Sequence, residues 1–134
     1  MVNTVKSICE EHTLIGFSAD EDSKAGESPV FYTLDLIGNH RKTSVILLLD
    51  KIQQADFSEI LGRFSGMNQF VLIKILRELE EDCIIKRVYK GESGEADYKV
   101  LYRLTYTGRK LIPIINELDS WGKEQRRHKA LIAV

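Results

Sequence analysis

Phe57-Ser58-Glu59-Ile60-Leu61-Gly62-Arg63-Phe64-Ser65-Gly66-Met67-Asn68-Gln69-Phe70-Val71-Leu72-Ile73-Lys74-Ile75-Leu76-Arg77-Glu78-Leu79-Glu80-Glu81 is the stretch that decides the fold. Phe57, Ile60 and Leu61 fall at i, i+3 and i+4, the spacing of one helical face, and Asp56 or Ser58 can open that short helix. Gly62 to Gly66 reads as a turn. Asn68 can cap a second helix that continues through Glu81, with Val71, Leu72, Ile75, Leu76 and Leu79 facing inward. Two helices joined by a short glycine-containing turn make a helix-turn-helix.

Upstream, Ser28 and Pro29 suit the cap and first position of a helix. Val30, Leu34 and Ile37 share one face of it, and Gly38-Asn39 stops it. A further helix is expected from about Lys42 to Gln53, mostly buried because Val45 to Leu49 is apolar nearly all round. Downstream the period changes from 3.6 to 2. Ile84 to Tyr89 and Tyr98 to Leu104 read as strands, with the polar, glycine-containing segment 91–97 as a long hairpin loop. Thr105 or Thr107 then caps a last helix, with a kink expected at Pro113. The expected fold is α+β, mainly helical: a winged helix-turn-helix with a two-stranded hairpin as its wing.

The chain has 134 residues, 43% apolar and 29% charged, enough for one core. Its longest apolar run, Val45 to Leu49, is far short of the roughly 20 residues that span a bilayer. The start, Met1-Val2-Asn3-Thr4-Val5-Lys6, lacks a secretory pattern. Two cysteines, Cys9 and Cys83, neither frame a disulfide-rich domain nor have metal-site spacing. A cytoplasmic protein without membrane association is expected. Residues 1–27 read as a partly disordered N-terminal extension. Within it, Val2 to Phe17 fits a short helix or a strand, and Ser18 to Ser28 is a small, acidic linker. Residues 28–134 form the winged-helix domain and its C-terminal helix.

Charge is unevenly spread: residues 1–29 carry two basic and six acidic side chains, residues 107–134 six basic and three acidic. That permits a polyanionic partner without demanding one. His12, His40 and His128 lie far apart, so no metal site is expected. Cys83 reads as a small buried hydrophobe. Segment 91–94 is a turn and not a phosphate loop, since no Lys-Ser/Thr follows at the required spacing. No Ser-His-acid or Cys-His arrangement is present, so an enzyme is not expected, and no cofactor is called for.

A DNA major groove about 12 Å wide admits one helix, whose N-terminal side chains meet base edges. On that geometry Asn68, Gln69, Phe70, Ile73, Lys74 and Arg77 form the candidate reading face. Helix-turn-helix geometry also occurs in ordinary helical packing, and the pattern alone leaves both readings open.

From Ser28 to Gly122 the sequence resembles the HxlR-type family of winged-helix transcription regulators. The resemblance is carried by Leu36-Ile37-Gly38, Phe57-Ser58-Glu59-Ile60, Gly66-Met67, Leu76-Arg77-Glu78-Leu79-Glu80-Glu81-Asp82, Arg87-Val88-Tyr89, Tyr102-Arg103-Leu104-Thr105, Thr107-Gly108-Arg109, Leu111-Ile112-Pro113-Ile114 and Trp121-Gly122. Their joint order and spacing are more specific than any single piece. The resemblance implies a homodimer on double-stranded DNA, with N-terminal and C-terminal helices making the subunit contact.

The chain departs from that family in four places. Ser28-Pro29 stands where members often have a cysteine, which rules out thiol sensing at that position. Asn39-His40-Arg41 replaces a Gly-Lys-Trp. Phe70, Ile73 and Ile75 make the reading helix unusually apolar. The hairpin loop is long and carries Glu92, Glu95 and Asp97, which repel phosphate. Backbone contacts then fall to Arg41, Lys42, Lys86, Arg87 and Lys90.

Leu111, Ile114, Ile115, Leu118 and Trp121 form a stripe on the last helix. They are expected to meet a second copy, with Leu34 of the first helix contributing. The expected function is a dimeric regulator reading a pseudo-palindromic operator through a helix starting near Asn68. The alternative is a winged-helix interaction module that docks a protein through Phe70 and Ile73 and binds no DNA. The sequence names no effector.

Overall fold

The computed structural model describes residues 28–132. The expectations for residues 1–27, including Cys9, lie outside the described residues. The chain divides into two units, the first ending at Thr43 and the second beginning at Ser44, and each is described by itself.

In the first unit, helix α1 (Pro29–Ile37) begins where the sequence places it. Ser28 is its cap, accepting from the Val30 N–H at 3.4 Å, with proline in the first turn. The Gly38 N–H closes the helix on the Leu34 carbonyl at 2.7 Å. On the face shared by Val30, Leu34 and Ile37, the first two are exposed and Ile37 is half-buried; Leu36 is buried, and Phe31 and Tyr32 are exposed as well. Asn39 does more than end α1. Its side chain accepts from the Lys42 N–H at 3.1 Å and so opens the next helix, α2 (His40–Ile52). The Thr43 hydroxyl donates to the Ile37 carbonyl at 2.7 Å, bracing the turn.

In the second unit, α2 contributes Val45, Ile46 and Leu49 to the core. Leu47 faces out, so this helix is less completely covered than its apolar run suggests. Strand β1 (Gln54–Asp56) and helix α3 (Phe57–Gly62) follow, then helix α4 (Gln69–Glu81), the hairpin β2 (Ile85–Lys90) and β3 (Lys99–Leu104), and helix α5 (Tyr106–Ile132). The expected two-stranded wing is part of a three-stranded antiparallel sheet in the order β1-β3-β2. β1 pairs Gln54 with Arg103 and Asp56 with Leu101. A three-residue edge strand is too short to show a period of two, which is why the sequence did not reveal it.

The core of this unit combines Ala55, Ile60, Leu72, Ile75, Leu76 and Leu79 with Ile84, Ile85, Leu101 and Leu104 of the hairpin and with Leu111 and Ile115 of α5. Thr105 is the cap of α5, accepting from the Gly108 N–H at 2.9 Å through its hydroxyl. That hydroxyl also donates to the Cys83 carbonyl at 2.6 Å, with the Ile84 carbonyl 3.1 Å away. Gly108 is buried hard against the Ile84 carbonyl, where any Cβ would collide. Helix α5 runs on through Pro113, whose missing N–H removes one internal hydrogen bond without ending the helix. Among the described residues no helix is long and apolar enough to cross a membrane.

Candidate nucleic-acid interface

Each helix of the α3–α4 pair is started by a side-chain cap. Asp56 and Glu59 form a reciprocal capping box: the Glu59 N–H donates to Asp56 Oδ1 at 2.8 Å, and the Asp56 N–H to Glu59 Oε1 at 3.3 Å. The turn after α3 passes through Gly66 at φ +87°, a left-handed conformation that costs glycine no Cβ clash. Asn68 then caps α4, its Oδ1 accepting from the Val71 N–H at 2.9 Å. Such a cap contributes about 1 kcal/mol to helix stability. It also engages the oxygen that Asn68 would use, beside its amide N–H groups, to pair bidentately with an adenine edge, leaving that oxygen a second lone pair. In this arrangement Asn68 starts the helix, and the side chains after it are the ones presented outward.

Those side chains divide cleanly. At about 100° per residue, Leu72, Ile75, Leu76 and Leu79 gather on one face and are buried. Phe70, Ile73, Lys74 and Arg77 gather on the opposite face and are all exposed, Phe70 at 72% and Ile73 at 42%. Gln69 sits exposed at the margin of that arc. Ile75 belongs to the core, as its inward spacing predicts, so of the three apolar residues that set this helix apart from the family only Phe70 and Ile73 lie on the outer face.

The C-terminal end of α4 is tied to the wing. Arg87 Nε of β2 donates to Glu80 Oε2 at 2.9 Å. The bond, helped by the nearby carboxylate charge and opposed by burial, raises the Arg87 pKa, so its charge is secure at any ordinary pH. Tyr102, the cross-strand partner of Arg87, has its pKa raised first by burial and then by Glu80. Arg87 is therefore held by a carboxylate and is not an isolated cation awaiting phosphate. Being half exposed, the pair adds at most about 1 kcal/mol to stability.

The hairpin register brings together cations that the sequence treats separately. Lys86 lies opposite Arg103, and Lys90 opposite Lys99. Arg103 and Lys99 are the interface candidates that sequence reading missed. Only the pairing of the strands puts them beside Lys86 and Lys90, and no signal along the chain fixes that pairing. Directly opposed like charges destabilise a sheet, a cost that an approaching anion relieves. Tyr89 and Tyr98 stack at the base of the loop, ring centroids 6.2 Å apart, while Glu92, Glu95 and Asp97 occupy the exposed tip. In the first unit Arg41 is exposed and Lys42 half-buried at the start of α2.

The stripe on α5 splits in two. Leu111 and Ile115 are each only 8% exposed and belong to the unit's own core, contrary to the expectation that they meet a second copy. Ile114, Leu118 and Trp121 remain exposed, as do Leu131 and Ile132 near the helix end. Leu34 is exposed on α1. Cys83, expected to be buried, is half-buried at φ +60°.

The model of the HxlR-like helix-turn-helix family matches residues 36–130. A helix-turn-helix transcriptional regulator of Halalkalibacterium halodurans is 34% identical over 102 residues, covering 76% of this chain and 88% of the relative. The transcriptional regulator YdeP of Bacillus subtilis is 37% identical over 114 residues, 84% of this chain and 84% of YdeP. Among solved structures, the reduced form of the transcriptional regulator YodB from B. subtilis aligns with a TM-score of 0.66 at 26% identity, over 73% of this chain and 92% of that one.

Proposed function

The chain belongs to the HxlR-like helix-turn-helix family of DNA-binding transcription regulators, and from that premise we propose that it acts as a cytoplasmic homodimer on a pseudo-palindromic operator. An interaction module that touches no DNA does not fit that membership, and neither does an enzyme. Helix α4 enters the major groove; Gln69, Lys74 and Arg77 supply polar contacts to bases or phosphates. Asn68 sets where that helix begins. Arg41, Lys42, Lys86, Arg87 and Lys90, joined by Lys99 and Arg103, position the duplex through its phosphates. Arg87 exchanges or shares its Glu80 partner when a phosphate approaches.

One observation carries this reading. Helix α4 is fixed along its whole length by four buried residues, yet its opposite face is covered by nothing in its own unit. A helix so firmly anchored and so openly presented suits insertion into a groove sized for one helix.

The dimer is supported by α5. Ile114, Leu118 and Trp121 follow one another at i, i+4 and i+7, exposed on a helix of 27 residues. That length is about 40 Å, more than a unit of this size covers. A dimer on two half-sites one turn of duplex apart would need its α4 helices about 34–36 Å from each other.

The test is retardation of duplex DNA by the full chain across a salt series. A shifted complex is expected at low salt, weakening steeply as salt rises because each phosphate contact releases counterions. Arg77→Ala is expected to reduce that salt slope by about one if Arg77 binds phosphate. No retardation at low salt, or binding indifferent to salt, overturns the proposal. Sedimentation at micromolar concentration showing only single chains overturns its dimeric part.

A further inference from the structure

The outer stripe of α4 changes character along its length. Phe70, Ile73, Lys74 and Arg77 stand at i, i+3, i+4 and i+7, all exposed. The two apolar side chains come first, within the first turn and a half, and the two cations follow. A helix that docks in a protein groove keeps that stripe apolar at all four positions. Here the half that reaches deepest into a major groove is apolar, and the later half, which passes the strand backbones, is cationic. At the same end, Asn68 already holds the cap through its Oδ1.

On this basis, and resting on the reading that α4 enters the major groove, we infer that Phe70 and Ile73 are specificity-determining residues that recognise the C5-methyl groups of thymine. The methyl is the one apolar group that a base pair displays in the major groove, and it distinguishes thymine from cytosine at that edge. Covering Phe70 and Ile73 with methyls removes exposed apolar area from water, and Lys74 and Arg77 hold the flanking phosphates meanwhile. Operator half-sites should therefore carry thymines under the start of α4.

The experiment first selects duplexes from a random pool with the full chain at low salt. Thymines in each selected half-site are then replaced singly by deoxyuridine, which deletes the methyl and leaves every hydrogen-bonding group in place. At a contacted position the loss expected is about four-fold in affinity, the worth of one buried methyl group. Phe70→Ala and Ile73→Ala lie on the exposed face, so both variants keep the fold. Each is expected to bind the thymine site more weakly than the parent and to become insensitive to uridine at the position its side chain covers. Duplex binding that is unchanged by every uridine replacement overturns the inference but leaves the operator reading intact. Alanine variants that bind all duplexes as the parent does also overturn it, and assign the patch to a protein partner. Failure to select any duplex removes the operator reading and this inference together.

Discussion

Helices α4 and α5 both expose large apolar side chains, but they are held in opposite ways. Over its 13 residues α4 buries four side chains spread from its first turn to its last. Over its 27 residues α5 buries only Gly108, Leu111 and Ile115, all near its start. The first helix needs nothing further to keep its position, so its outer face is available for a ligand. The second leaves its distal part without cover from its own unit, so the apolar residues there, Leu118 and Trp121 among them, would gain cover in the proposed dimer. Exposure is thus read differently in the two places, according to what supports the backbone beneath it.

Substitutions at five positions break or sharpen that contrast. The largest effect is expected from Leu72→Ala, which empties a fully buried site beneath the outer face of α4. It should cost about 3 kcal/mol in urea-induced unfolding. Leu118→Ala, measured at a concentration too low for association, should change unfolding by about 0.5 kcal/mol or less. Equal losses at the two sites would erase the distinction between the helices.

Next in size is the joint change Leu118→Asp and Trp121→Ala, expected to halve the sedimenting mass. It should lower affinity for a two-half-site operator by about 100-fold, because the second half-site is then no longer bound intramolecularly. Trp121 is the only tryptophan, so the fluorescence of the parent protein reports the same interface. Its emission should shift to the blue as concentration rises through the dimerisation range.

Asn68→Ala should cost about 1 kcal/mol of stability through the lost cap, and Asn68→Asp, which can still accept from the Val71 N–H, should restore most of it. If the stability of Asn68→Ala equals that of the parent, the side chain is free to serve DNA instead. The smallest effect concerns alkaline pH. Burial and then Glu80 hold Tyr102 neutral in the fold, so its folded pKa lies above its unfolded value of about 10. The corresponding stability is complete below that value and is lost as pH rises beyond it. Tyr102→Phe should flatten this alkaline decline in a denaturation series.

Much of α4 was legible in the sequence because cap, period and length agree there: Asn68, the inward leucines and isoleucines, and the end near Glu81. Ser28-Pro29 and the two long strands were legible for the same reason. β1 was not, since Gln54-Ala55-Asp56 has one apolar residue and gains its structure from β3. On α5 the apolar stripe was readable, but its division was not. Leu111 and Ile115 differ from Ile114 and Leu118 in which neighbours the tertiary fold supplies, and spacing is silent on that. The same holds for Arg87, whose Glu80 partner lies seven residues back across a turn, and for Lys99 and Arg103, placed by register alone. The capping role of Asn68 was legible from its place before the helix, and the bond from the Val71 N–H bears it out.

The Thr105 hydroxyl, bonded at once to the Cys83 carbonyl and the Gly108 N–H, joins the root of α5 to the chain just beyond α4. With Gly108 wedged on the Ile84 carbonyl, this joint has little play. The long helix therefore works as a lever whose fulcrum sits one turn from the reading element. In the proposed dimer, a slight swing between two such levers would alter the gap between the two α4 helices, and so would choose which separations of half-sites along a duplex can be gripped together.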